Sequence, residues 1–135
     1  MRMIFVNLPV KDVARSKTFF GGLGLGFRFN DEYSDESTAC MVIEENIYVM
    51  LMHEDRFKGF LAGEVSDTSK GKEVLTCLSV SSRKEVDDTL ARALELGGKP
   101  WLPIMDYGFM YGCSFQDPDG HVWELSYMEP QAPSA

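Results

Sequence analysis

Ile4, Val6, Leu8 and Val10 alternate with Phe5, Asn7 and Pro9. That two-residue period predicts a half-buried strand. Asp12 stands where a helix N-cap is needed, and Val13, Phe20 and Leu23 supply the apolar stripe of a helix running to about Phe20. Gly21, Gly22 and Gly24 end it. Leu25–Phe29 predicts a short strand, and Thr38–Ile43 with Ile47–Met52 a hairpin around Glu44-Glu45-Asn46.

The plan then repeats. Val74–Val80 predicts a strand, and Ser82 with Glu85 has the Ser-x-x-Glu spacing of a capping box, which satisfies two orphan N–H groups at a helix start. Val86, Leu90, Ala93 and Leu94 follow at helical spacing until Gly97-Gly98. Strands are predicted near Pro100–Ile104, Met110–Phe115 and His121–Met128, with Asp117-Pro118-Asp119-Gly120 as a turn before the last. Leu8-Pro9-Val10 and Leu78-Ser79-Val80 match at a separation of 70, each just before a helix. The order β-α-β-β-β therefore occurs twice, an α+β plan with the look of an internal duplication. Module one covers 1–53, a connector 54–73 and module two 74–129, with a small polar tail at 130–135 expected to be disordered. Phe57, Phe60 and Leu61 give the connector helical spacing. It either docks on a sheet or forms a lid.

Composition narrows the function classes. The 135 residues suit one domain, and 44% hydrophobic and 25% charged residues are ordinary for a globular chain. The longest apolar run, Ile47–Met52, is far short of the ~18 residues of a membrane span. The N-terminus shows no apolar signal-peptide core, so the expected location is cytoplasmic. A net charge of -8 with scattered Lys and Arg argues against nucleic acid. The acidity serves solubility or attracts a cationic ligand. Cys40, Cys77 and Cys113 are odd in number and far apart, which supports neither a disulfide framework nor a zinc knuckle.

Leu8-Pro9-Val10-Lys11-Asp12, Ser16-x-x-Phe19-Phe20-x-x-Leu23-Gly24-Leu25-Gly26-Phe27, Gly97-Gly98 and Phe115-x-Asp117-Pro118-Asp119-Gly120-x-x-x-Glu124-Leu125 together resemble the vicinal oxygen chelate superfamily. That superfamily includes glyoxalase I, bleomycin-resistance proteins and extradiol dioxygenases. The resemblance spans about residues 3 to 128. It implies two βαβββ modules forming a U-shaped eight-stranded sheet around a cavity, often in a homodimer. The reaction is not implied, because function resides in the site.

Metal-dependent members of this superfamily place ligands on the first and last strands of each module. By the resemblance those positions fall on Phe5, near Val49, on Leu75 and on Glu124. Only Glu124 can donate to a metal. The expectation is therefore no cofactor, with a divalent metal as the alternative. Strand alternation puts Phe5 with Asn7, Val49 with Leu51 and His53, Leu75 with Cys77, and Val122 with Glu124 and Ser126. If these faces line the cavity, it is an apolar small-molecule site with one carboxylate. Glu124 is then a general base or ligand anchor, or else a relic bonded to Asn7, Ser126 or a Tyr hydroxyl. His53 is a second candidate for moving a proton, or a rim residue without a role. Tyr107, Phe109 and Tyr111, near Trp101, form a ligand-stacking wall, a dimer interface or core. Two functions remain open. One is a metal-free small-molecule binder acting in resistance or sequestration. The other is a glyoxalase-like lyase or isomerase, related to lactoylglutathione lyase, that uses Glu124.

Overall fold

In the computed structural model, which describes residues 1–130, the N-terminal alternation becomes strand β1 (Ile4–Val10). Asp12 caps helix α1 (Val13–Gly21), its carboxylate accepting from the Arg15 N–H at 3.0 Å. Strands β2 (Arg28–Asp35), β3 (Thr38–Glu44) and β4 (Ile47–His53) follow, then the one-turn helix α2 (Glu54–Lys58). The sheet order is β1-β4-β3-β2, with β1 parallel to β4 and the other pairs antiparallel. Phe19, Phe20 and Leu23 are buried in the same core as Val10, Ala39, Met41, Val49 and Leu51. Together they make Met1–Thr68 one compact unit.

The second unit begins at Ser69. It contains β5 (Leu75–Ser79), α3 (Arg83–Glu95), β6 (Lys99–Pro100), β7 (Met105–Asp106), β8 (Met110–Gln116) and β9 (Val122–Met128). Its sheet order is β5-β9-β8-β6, with β7 also on β8 and β5 parallel to β9. In both units, then, the first strand lies parallel to the last, and a helix follows the first strand. The core here is Val86 and Ala93 of α3 with Cys113, Phe115, Trp123 and Leu125 of the sheet. The chain is thus α+β, with one four-stranded and one five-stranded sheet. No helix among the described residues is long and apolar enough to cross a membrane.

Four expectations need correction. The strand expected at Leu25–Phe29 starts only at Arg28. Gly24 and Gly26 take φ of 81° and 77°, which turns the chain where alternation suggested extension. The strand expected at Pro100–Ile104 is reduced to two two-residue pieces, because Leu102 N–H donates to the Ser114 hydroxyl at 3.0 Å and leaves the ladder. The capping box is half formed. Ser82 accepts from Glu85 N–H at 3.0 Å, but the Glu85 carboxylate accepts from the Ser81 hydroxyl. Finally, Phe60 and Leu61 do not dock: they are exposed beyond α2. The expected tail, apart from Pro130, lies outside the described residues.

Candidate functional site

The parallel pairing of β1 with β4 decides what shares a face in the first unit. Phe5 is in register with Tyr48, Asn7 with Met50 and Pro9 with Met52. Phe5 and Asn7 are exposed, and the Phe5 ring stacks on Tyr48 at 4.8 Å and 12°. Toward the other end of the strand this face closes, with Met52 and Cys40 buried. Val49 and Leu51 pair with Val6 and Leu8 instead and point into the core, 1% and 0% exposed. They are not on the Phe5 face, and no ligand reaches them without opening the fold. Tyr48 and Met50 hold the places expected of them. The alternation within each strand is sound; the register between strands is invisible to a single-strand pattern and is off by one residue.

His53 also lies on the Val49 side, in register with Val10. It caps α2, its Nδ1 accepting from Asp55 N–H at 3.2 Å. That ring nitrogen is occupied by a structural hydrogen bond, so the structure gives His53 a capping task and no place on the Phe5 face.

In the second unit, Cys77 faces Glu124 across β5 and β9, and Ser114 faces Glu124 across β8 and β9. Thiol, carboxylate and hydroxyl therefore lie in one row. Ser79, Ser126 and Gly112 form the next row, and Leu75, about half exposed, begins the row before. A Cβ on Gly112 would stand 3.0 Å from the Leu125 carbonyl, so this row is closely approached by backbone. Glu124 is partly buried, and among the described residues nothing hydrogen-bonds its carboxylate. The relic reading, with Ser126 as partner, does not hold here: the Ser126 hydroxyl leans on the Met128 sulfur at 3.9 Å.

Tyr111 is on the other face of this sheet. It pairs with Tyr127, out of phase with Glu124, and donates its hydroxyl to Asp87 of α3 at 2.6 Å. That bond holds its phenol above the usual range. Tyr111 thus belongs to the α3 side, away from the Glu124 row. Tyr107 and Phe109, by contrast, are 60% and 56% exposed, their rings 6.4 Å apart and 23° from parallel. Ser114, Met50 and Tyr48 are the open-face or row members that the sequence reading passed over. The signal that could find them is strand pairing, not composition.

In the first unit Phe5, Tyr48 and Met50 offer no hard donor anion, and in the second neither does Leu75. Among the described residues no three His, Cys, Asp or Glu side chains gather as a metal site.

Partial burial and the neighbouring Glu124 carboxylate both push the Cys77 thiol up from its usual range, burial being the larger cause. Cys77 is the exposed thiol, Cys40 and Cys113 being buried. In the folded protein a disulfide reagent at pH 8 should therefore modify one thiol, more slowly than free cysteine. Glu124→Gln should speed it and move the rate profile to lower pH without reaching the free-thiol rate. An unchanged profile would mean that the two groups do not sense each other.

The sequence model of the Glyoxalase/Bleomycin resistance protein/Dioxygenase superfamily matches residues 2–125. The chain belongs to this superfamily. No curated protein matches it significantly. Among solved structures, a hypothetical protein from S. aureus is 24% identical, with 94% of each chain covered and a TM-score of 0.79. A glyoxalase/bleomycin resistance protein/dioxygenase family enzyme from Burkholderia phytofirmans PsJN is 16% identical at a TM-score of 0.80, covering 95% of this chain and 99% of that one. The fosfomycin resistance protein FosX from Listeria monocytogenes is 19% identical at 0.66, covering 94% and 93%. At such identities these likenesses show a shared fold, and the site's chemistry has to be read from this superfamily member's own residues.

Proposed function

We propose that this superfamily member binds a small organic molecule on its open sheet faces without a metal centre, and acts by sequestration or resistance. One observation carries the reading: the Glu124 carboxylate, partly buried and unengaged among the described residues, stands in a row with Cys77 and Ser114. A carboxylate withdrawn from bulk water gains from a charged or N–H donor that a ligand brings. Beside that row Leu75 adds exposed apolar area, and on the first unit's own open face Phe5 stacked on Tyr48 does the same, the kind of surface that small-molecule sites use. The names of the relatives suggest what to try first, namely bleomycin and fosfomycin.

The same unengaged carboxylate favours one competing reading. Glu124 could take a proton from a bound substrate as a general base, in a glyoxalase-like lyase or isomerase. Calorimetric titration with bleomycin and fosfomycin, and absorbance assays with the methylglyoxal–glutathione hemithioacetal, separate the two. Binding without turnover is expected, weakened about tenfold to hundredfold in Glu124→Gln, the effect of losing a hydrogen bond to a charged group. Elemental analysis should find well under one equivalent of Ni, Zn, Mn or Fe. Turnover that a chelator abolishes and Mn(II) restores would overturn the proposal.

The reading includes a homodimer in the cytoplasm. Strands β1 and β5 are both sheet edges, flanked by exposed Ile4 and Phe5 and by exposed Val74 and Leu75. Such edges are usually covered. Three free cysteines suit a reducing compartment.

A further inference from the structure

Strand pairing in the first unit sets three sulfur side chains next to one another. Cys40 of β3 is in register with Met50 of β4, and Met52, two residues on, is in register with Thr38. These four side chains lie on the face that turns away from Val49 and Leu51, and so away from the core under α1. Residues opposed in this way carry Cβ atoms about 5 Å apart, and diagonal neighbours about 7 Å, separations that long methionine side chains span. Cys40 is also fixed from its other side. Strand β2 slips register between Asn30 and Asp35, and the Ser34 hydroxyl accepts the Cys40 N–H at 3.0 Å. Cys40 and Met52 are buried, while Met50 is half-buried and leaves a way in.

The chemistry of this trio is soft. A thiolate with two thioethers selects monovalent copper and ions like it over the divalent ions that carboxylates take. Charge agrees with that choice. A buried charge is costly unless it is paired, and one thiolate cancels one monovalent cation. The register neighbours add no charge: Asn30 stands beside Cys40, Asn7 beside Met50 and Pro9 beside Met52. A second observation points to a guest. Thr38, on the same face two residues from Cys40, is 2% exposed, and its hydroxyl has no hydrogen-bond partner among the described residues. Buried hydroxyls are nearly always bonded, so one left open beside a thiol marks a place made for a further charge or group. Once Cys40 is a thiolate, that hydroxyl gains an anionic acceptor on its own face.

We propose that Cys40, Met50 and Met52 form a binding site for one soft monovalent metal ion of the Cu(I) and Ag(I) class. On binding, the Cys40 S–H bond breaks, a sulfur–metal bond forms and the proton leaves to water, with no change of oxidation state. Burial raises the Cys40 thiol from its usual range, so without the ion the site is neutral and unreactive. Cys40 and Met52 stand outside the positions that the superfamily resemblance assigns to a metal. The inference goes beyond the small-molecule reading and does not depend on Glu124.

Cys77, the exposed thiol, is the competing soft donor, so the test starts from the full chain carrying Cys77→Ser. It is titrated with Ag(I), and with Cu(I) kept reduced by ascorbate and buffered by bicinchoninate. One equivalent is expected to bind, at least hundredfold more tightly than Zn(II), with release of one proton. X-ray absorption of the Cu(I) form should show sulfur donors only. Met50→Leu with Met52→Leu keeps the apolar volume, so the fold should persist while affinity falls at least tenfold. Cys40→Ala should abolish stoichiometric binding, and the methionine pair keeps the test decisive even if that variant misfolds. Thr38→Val separates site from scaffold: losing an orphan hydroxyl should leave the empty chain as stable or more so, yet weaken the ion severalfold. Unchanged affinity there would overturn the part given to Thr38. No tight equivalent in Cys77→Ser, an undiminished double methionine variant, or oxygen and nitrogen donors in the spectrum would sink the site. Glu124→Gln should bind the ion normally while losing organic ligand. Loss of the ion in that variant would place it in the second unit and refute this assignment, whereas normal ligand binding by it would refute the Glu124 reading alone.

Discussion

Asp117→Ala is expected to cost about 3 kcal/mol of stability in urea unfolding, because it takes one buried acceptor group away from three N–H donors at once. Asp117 is 2% exposed. Its Oδ1 accepts from Asp119 N–H at 2.9 Å and His121 N–H at 3.0 Å, and its Oδ2 from the buried Trp123 Nε1–H at 3.0 Å. The first two bonds shape the turn that aligns β8 with β9. The third satisfies the indole of a side chain that is 2% exposed in the core. Alanine removes these three bonds together, one of them deep inside. A loss under 1 kcal/mol would show that water or a shifted turn replaces them.

The same residue gives a pH dependence with a definite sign. Burial pushes the Asp117 carboxyl above its ordinary value of 3.8, against the opposing pull of His121 and its three donors. A folded-state value raised above the unfolded one means that the native state holds the proton more tightly. The stability from this group is then full below about pH 3.8 and declines as pH rises through the raised value. Asp117→Asn cannot titrate. The difference in stability between the natural chain and that variant should therefore move against the natural chain as pH is raised across this range, and should be flat above it.

Asp117 also shows how far the sequence can be read. Asp-Pro-Asp-Gly announces a turn and, by resemblance, a superfamily. It does not announce that one carboxylate reaches six residues forward to an indole, because that bond exists only once β9 has folded back on β8. The elements that announce themselves are those with local causes: the Asp12 cap, the alternation of β1, the stripe of α3. What depends on pairing is hidden. Alternation rightly separates Phe5 from Val6 and Tyr48 from Val49, but only the register Phe5↔Tyr48 says which of them share a face. So Val49 and Leu51, natural picks for a lining, turn out to be core, and Tyr48 and Met50 replace them. Alternation groups Cys77 with Leu75 and Glu124 with Val122, but only the pairing of β5 with β9 brings Cys77 opposite Glu124, with Leu78 and Leu125 on the other face. The bonds of the Arg83 guanidinium to Asp106, Gly108 and Glu129 are beyond any local pattern, these partners lying 23, 25 and 46 residues away.

Two phenylalanines measure the division between fold and site. Phe19 is 1% exposed and meets Phe20 edge-on, ring centroids 5.0 Å apart at 87°. Phe19→Ala removes a whole ring from a packed core and ends an aromatic pair, so a loss of about 4 kcal/mol is expected in chemical denaturation. Phe5 is 50% exposed on the edge strand and stacks on Tyr48 alone. Phe5→Ala gives up roughly 1 kcal/mol or less, since half its surface already meets water. If the face it shares with Asn7 and Tyr48 receives a ligand, the ranking inverts: Phe5→Ala should weaken binding at least fivefold while the melting temperature stays nearly constant, and Phe19→Ala should lower the melting temperature while the fraction still folded binds normally. A Phe5→Ala chain as unstable as Phe19→Ala would mean that this face is buried in the working assembly and is an interface between copies. The melting curves and the titrations of these two variants therefore decide together whether the open face of the first sheet serves a ligand or a partner.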